Sequence, residues 1–311
     1  MTTIATTTIR ALAGFAGALA IASCASMESL QEEAEPFVGR TAQERANVAN
    51  VVEFYNAAIN AKNFTRARFY IGDRYVQHNP TAPDGIEGLE GFINFLRTTA
   101  PTSRSTIEGA YADGDFVILH VHSNRPEGTP GRAIVDIFRL DENGKVIEHW
   151  DIIQDVPDVE RAQNENGMFY AVSPAEPTPQ TPEQEEENVR IAYEFYDAAL
   201  NQKDWPLAES FIGDRYVQHN LNAPDGPEGL EAHVAMVSEN FPDNRGELQR
   251  AYVDGDRVFL HMHTRRRPED LGMSVMDMFR VENGKVVEHW DVIQPVPETA
   301  ANDNGMFYGE P

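Results

Sequence analysis

Cysteine is nearly absent from the 311-residue chain: Cys24 stands alone. An intrachain disulfide and a cysteine-based zinc site are therefore both excluded. Basic residues are scarce too, with 25 Lys and Arg against 50 Asp and Glu and a net charge of −25. Such a surface offers nothing to a phosphate backbone, so nucleic acid is not an expected partner. Anionic lipid headgroups would repel it, which removes any polybasic route to a membrane. The apolar stretch Ala11–Ala22 has only twelve residues, short of the roughly 20 that span a bilayer. What is plentiful, 41 % apolar and 9 % aromatic residues, suffices for packed cores, and the length suits two domains of ordinary size.

In "RALAGFAGALAIASC" Arg10 precedes the apolar stretch and Cys24 closes it. A base, a short apolar core and small residues make a secretory signal. The ending "IASC" resembles the bacterial lipobox, whose cysteine is acylated and becomes the first residue of the mature protein. Residues 1–24 are thus expected to be a signal peptide with a lipidation site at Cys24, while "ASCAS" leaves an ordinary cleaved signal open. Residues 25–43, acidic and polar, read as a tether. The expectation is an exported protein of the bacterial cell envelope, facing the periplasm and meeting the membrane only through a lipid at Cys24.

The nine residues "IGDRYVQHN" occur at Ile71–Asn79 and again at Ile212–Asn220. "EHWDIIQ" is echoed by "EHWDVIQ", and "NGMFY" closes both blocks. Elsewhere the likeness collapses: Phe92–Ala110 and His233–Ala251 agree at three of 19 positions. Identity so concentrated implies a structural or chemical demand shared by those segments. Two domains are expected, at 44–170 and 188–311, joined by a Pro/Glu-rich linker at 171–187.

Each block opens with a helical stripe: Val48, Val51, Val52, Tyr55, Ala58 and Ile59 in one, Val189, Ala192, Tyr193, Tyr196, Ala199 and Leu200 in the other. A short second helix should precede Gly72, and a third should begin near Glu87 after the "APDG" turn. The period then changes to two in "DFVILHVHS", "RAIVDIFRL" and "KVIEHWDIIQ". This order predicts an α+β domain, three helices packed on a strongly curved antiparallel sheet. A hairpin at "DENG" puts Asp136 on the face of Phe138, Ile147, His149 and Asp151, with Val135, Ile137, Glu148 and Trp150 opposite. In the second block a three-residue loop with Gly284 in a left-handed conformation would put Asp277 with His289 and Asp291. His120 and His122, two residues apart, share a face. Assigned to the Asp136 face together with His78, they make it too polar for a plain core. It suits the floor of a small cavity.

The helix-first order, "YVQHNPTAPDG", "IVDIFRLDENGKVIEHWDIIQ" and the closing "NGMF" together resemble the SnoaL-like branch of the NTF2-like superfamily. The resemblance implies two tandem cones, each three helices wrapped by a bent sheet around a blind pocket. Such domains pair through the outer sheet face, which implies an intramolecular pseudo-dimer with Trp150 and Trp290 near the contact. In polyketide-cyclase members, an aspartate on the penultimate strand is the acid/base of a metal-free aldol closure, aided by a histidine on the preceding strand. Carried over, the acid/base is Asp136 and Asp277 and the helper is His122 and His263, with His120 and His261 as close seconds. His78 and His219 complete the catalytic candidates. The expected pocket lining is Tyr75, His120, Phe138, His149 and Asp151, repeated by Tyr216, His261, Phe279, His289 and Asp291.

The implied function is a metal-independent acid/base enzyme acting on a small carbonyl compound, a lyase, cyclase or isomerase of aldol type needing no cofactor. Two other readings stand beside it. One is a non-catalytic lipoprotein that binds a small molecule or serves as a scaffold. The other is a mononuclear metal enzyme using "HVH" with His78 and Asp136.

Overall fold

The computed structural model describes residues 38–170 and 176–307. The signal-like stretch, Cys24 and most of the tether lie outside the described residues. Thr41 and Glu44 start the first helix as a reciprocal capping box, each side chain bonding the other's backbone N–H. Helix α1 (Ala42–Tyr55) runs on as a wide turn, Asn56–Asn60, followed by α2 (Phe64–Ala67) and α3 (Gly85–Thr99). The expected stripe faces the core, with Val51, Tyr55 and Ala58 buried, and Phe54 joins it. Strands β1 (Ile71–Gln77), β2 (Ser105–Asp113), β3 (Phe116–Ser123), β4 (Arg132–Leu140) and β5 (Val146–Asp155) form one sheet in the order β1-β5-β4-β3-β2. Strands β2 to β5 are antiparallel neighbours, and β1 joins β5 in parallel.

The second copy repeats the plan with α4 (Pro182–Tyr196), α5 (Trp205–Glu209), β6 (Ile212–Gln218) and α6 (Gly226–Asn240). Its remaining strands are β7 (Arg245–Asp254), β8 (Arg257–Arg265), β9 (Met273–Glu282) and β10 (Lys285–Pro295), in the order β6-β10-β9-β8-β7. Helix α4 starts inside the stretch expected as linker. Thr181 and Gln184 form its capping box, and Pro182 sits in the first turn, where no N–H is needed. No helix among the described residues is long and apolar enough to cross a membrane.

The β4–β5 hairpin sets Asp136 opposite Asp151 and Phe138 opposite His149, the face expected from its parity. Ile147 falls out of step as the extra residue of a bulge. The second hairpin departs from expectation. Asn283 and Gly284 both have positive φ, 53° and 73°, which makes a two-residue primed turn instead of a three-residue loop. A bulge at Val287 restores the parity, so Asp277 still faces Asp291.

Each cone has its own apolar interior, and a third cluster joins the outer sheet faces, with Ile137, Trp150 and Ile152 against Met278, Trp290 and Val292. Reciprocal hydrogen bonds stitch the same faces together. Ile153 N donates to Gln294 Oε1 and Ile293 N to Gln154 Oε1, both at 2.8 Å. Asp254 accepts from Ala112 N at 2.8 Å, and Asp113 from Val253 N at 3.2 Å.

The tail after each last strand crosses to the other copy. Asn164 Nδ2 donates to Asn220 O and Ala223 O at 2.8 and 2.9 Å, and Asn166 Nδ2 to Gln218 O at 2.9 Å. Asn302 and Asn304 make the same bonds to Asn79, Ala82 and Gln77. Asn164 is buried, so Asn164→Ala strips two enclosed carbonyls of their donor. A loss of about 1–3 kcal/mol in urea unfolding is expected; an unchanged midpoint would show that the tail is not held in this way.

Candidate functional site

Strands β1 and β5 carry the two most faithfully repeated segments, and they are bonded to each other. Their parallel register sets Gln77 beside His149 and Val76 beside Glu148, so side chains alternate between the cone interior and the outer face. Inside, Gln77 Oε1 accepts from Asn79 N at 2.8 Å, which fixes its amide orientation, and faces His149 Nδ1 at 3.0 Å. An amide oxygen only accepts, so His149 carries a proton on Nδ1. Its Nε2 lies 3.0 Å from Asp136 Oδ1. Asn79 Nδ2 donates to Asp151 Oδ2 at 2.7 Å. The remaining oxygens, Asp136 Oδ2 and Asp151 Oδ1, are buried with no hydrogen-bond partner among the described residues.

The second copy repeats each contact. His289 Nδ1 is 2.9 Å from Gln218 Oε1, His289 Nε2 is 3.1 Å from Asp277 Oδ1, and Asn220 Nδ2 donates to Asp291 Oδ2 at 2.6 Å. Asp277 Oδ2 and Asp291 Oδ1 are again unpartnered. Here the cone encloses a cavity of about 70 Å³ lined by Tyr196, Tyr216, His233, Asp277, His289 and Asp291. Phe138 stacks on His149 at 4.7 Å and Phe279 on His289 at 4.9 Å.

Burial pushes the carboxyls of Asp151 and Asp291 up to about 6; the neighbouring imidazole opposes this and the facing aspartate adds to it. Asp151 as a residue is only partly enclosed, but its Oδ1 is fully so. For His149, burial pulls the other way, and the hydrogen bond to Asp136 with the charges of Asp151 and Asp136 carries it upward. Tyr75 and Tyr216 are held well above the usual phenol range by burial and the nearby aspartates, so they remain protonated donors.

Several candidates lie on the wrong side of the sheet. Leu119 pairs with Asp136, and His120 with Val135. His120 and His122 therefore point to the outer face, where Phe169 of the tail lies 5.3 and 4.4 Å from their rings. His261 and His263 sit in the same way beside Phe307. The expectation failed because residues 124–131 are long enough to join β3 and β4 in either phase, whereas a tight hairpin admits one.

His78 and His219 are also outside. His78 Nδ1 is 2.9 Å from Gly305 O, its Nε2 is 3.0 Å from Glu148 Oε1, and its ring stacks on Trp150 at 4.4 Å. His219 does the same with Gly167, Glu288 and Trp290. Both nitrogens of each ring meet acceptors. These histidines hold the exchanged tails.

A metal set of "HVH", His78 and Asp136 is thereby excluded, since its members occupy opposite faces. The donors that do converge are Asp136, His149 and Asp151, with ligand atoms within 4.8 Å of one another, and likewise Asp277, His289 and Asp291. Tyr75, Phe138, Tyr216 and Phe279 belong to the interior clusters as expected. Gln77, Asn79, Gln218 and Asn220 were not foreseen as site residues, although they lie inside the repeated nonapeptide. His233, on α6, was also missed; its ring is held low by burial, and Phe92 stands at its place in the first copy.

A carboxyl raised by folding contributes stability that is fully present below its unfolded value near 3.9 and is lost as pH rises through about 6. Asp291→Asn keeps an acceptor for Asn220 and removes this titration. The fall in unfolding free energy between pH 4 and 7 should flatten by up to about 3 kcal/mol, at 1.36 kcal/mol per unit. Superimposable wild-type and variant profiles would show Asp291 to be solvated.

Residues 51–149 match the family model of the SnoaL-like domain, and residues 190–300 that of the SnoaL-like polyketide cyclase. No curated protein matches the chain. Among similar solved structures is TsrD from Streptomyces laurentii, 23% identical, covering 35% of this chain and 90% of its own, with a TM-score of 0.31. A protein named as a polyketide cyclase from Bacillus cereus ATCC 10987 is 19% identical, covering 45% and 92%, with a TM-score of 0.34. One named as a ketosteroid isomerase from Kribbella flavida DSM 17836 is 12% identical, covering 39% and 87%, with a TM-score of 0.32. The two family matches fall on the two repeated blocks, each of them helices packed on a five-stranded sheet. The chain is a tandem of two SnoaL-like domains of NTF2-like cone architecture.

Proposed function

We propose that each cone is a metal-independent acid/base site acting on a small carbonyl compound, in a lyase, cyclase or isomerase reaction of aldol type. The observation that carries this is the facing pair of carboxylates whose free oxygens, Asp136 Oδ2 and Asp151 Oδ1, are buried without partners. Two carboxyls in unlike surroundings divide the work. Asp136, bonded to the imidazole, takes the proton from carbon next to the carbonyl through Oδ2. Asp151, raised by burial to about 6, presents a proton on Oδ1 to the oxygen where enolate charge develops. The proton on Asp136 then returns to carbon in an isomerisation, or to the new alkoxide after carbon–carbon closure. His149, locked by Gln77, keeps Asp136 aimed.

A cavity of about 70 Å³ holds about two waters at 30 Å³ each, which favours a compact reacting fragment over a polycyclic one. The reciprocal bonds of the outer faces support an intramolecular pseudo-dimer in which neither cone needs a second chain. "IASC" after a short apolar core supports lipid anchoring at Cys24 on the periplasmic side. Labelled palmitate is then expected in the wild type and not in Cys24→Ser; equal labelling would remove the anchor from the proposal.

The unpartnered oxygens also favour a second reading. Asp136, His149 and Asp151 would make a carboxylate–imidazole–carboxylate set for a divalent cation, with Gln77 orienting the imidazole as outer partners orient metal-bound histidines. Deuterium uptake next to the carbonyl, across a panel of small carbonyl compounds, tests both readings. The Asp136→Asn/Asp277→Asn protein is expected to remain folded and lose at least about 100-fold in exchange rate. Equal exchange in both proteins would end the catalytic proposal. A stoichiometric metal in untagged protein, with exchange lost on chelation, would install the second reading in its place.

A further inference from the structure

We propose a second kind of ligand site, between the two copies and independent of the acid/base reading: a small aromatic carboxylate binds in the cavity bounded by His120, Arg257 and Trp290. This cavity of about 220 Å³ is lined by Tyr111, His120 and Phe169 of the first copy and by Arg257, Phe259 and Trp290 of the second, among others. At about 30 Å³ per water it has room for about seven waters, or one ring bearing a small substituent. It lies beside the outer sheet faces, across the sheet from Asp136.

Two polar atoms on its lining residues lack partners. His120 Nε2 and Trp290 Nε1 are buried with no hydrogen bond among the described residues, and the two residues are only 5% and 6% exposed. Leaving such groups unpaired is unfavourable, and an occupant with acceptors would relieve that.

The pseudo-symmetric counterpart of this space is lined differently, and two substitutions make the difference. Arg250 stands opposite His261 in β7, and its guanidinium lies 4.7 Å over the ring of Phe116. The residue opposite His120 in β2 is Gly109, and the ring of Tyr111 lies against the place where its side chain would stand. Ser274 supplies a hydroxyl 2.8 Å from His261 Nε2, whereas Ala133, at the equivalent position in β4, has none. The first-copy side therefore has no guanidinium opposite its histidine and no serine hydroxyl for its Nε2.

The walls specify the occupant. Tyr111, Phe169, Phe259 and Trp290 offer ring faces and edges for a flat apolar body. The Trp290 indole can only donate, and the guanidinium of Arg257, paired with Asp256 at 3.1 Å, brings further donors and positive charge. Burial holds His120 down to about 3, so its ring is neutral, and in the Nε2–H tautomer it is a donor. Donors on the lining residues, beside aromatic walls, fit a carboxylate on a ring. Glu108 stands exposed at the rim.

Calorimetric titration of the intact tandem with benzoate tests this. One benzoate per chain is expected, with benzyl alcohol at least tenfold weaker. Trp290→Phe and His120→Leu should each weaken benzoate at least tenfold. Ala133→Ser, which gives His120 the hydroxyl that its counterpart enjoys, should do the same while removing no contact, and so guards against misfolding of the other two. The Asp136→Asn/Asp277→Asn protein should bind benzoate as the wild type does. Absence of binding, equal affinity for benzyl alcohol, indifference to all three outer-face variants, or loss in the cone double variant would each overturn the proposal. None of these outcomes depends on whether the cones turn over a substrate.

Discussion

Everything in this protein leans on the seam between β1 and β5. A parallel pair of strands alternates its side chains between two faces, and both faces of this seam are committed. Gln77 and Asn79 hold His149 and Asp151 on the interior side, while His78 grips Glu148 and stacks on Trp150 on the exterior. Shifting the register by one residue would exchange every one of these partners. The seam therefore fixes the cone's polar floor and the seat of the exchanged tail in a single act.

This explains the uneven likeness of the two copies. "QHN" and "EHWD" are two halves of one set of bonds, so neither can drift without the other. The final glutamine of "EHWDIIQ" reaches across to the other copy's backbone, which ties a further letter to the pairing of sheets. Most of helix α3 and strand β2 lies outside this set of bonds, and there the copies differ even in charge and bulk, as at Phe92 and His233 or Gly109 and Arg250. The repeated nonapeptide thus serves the polar floor of the cone and the seat of the tail together.

The helical stripes, the period-two strands and the tight β4–β5 hairpin were legible because each depends on local periodicity. Asp136, His149 and Asp151 were placed on one face for the same reason. The histidines of β3 and β1 were misplaced, since the phase of a strand across a long connection, or in a parallel pairing, is set by tertiary contacts that leave no local trace. Neighbours along a strand face opposite ways, so Gln77 and His78 had to part, but nothing local says which of them faces inward. The crossing of the tails was equally hidden: "NGMF" advertises a shared ending, and only the fold says whose groove receives it.

Because each tail completes the other copy, the two halves are not free-standing modules. A solitary copy would own an unfilled groove and an unplaced tail, needs that two solitary copies meet by exchange between molecules. Covalent fusion turns that encounter into an event whose local concentration no longer depends on how much protein is present. It also releases the partners from having to be identical. His233 against Phe92, and Arg250 against Gly109, are changes that a symmetric assembly would have had to accept twice, and that the joined chain carries on one side alone.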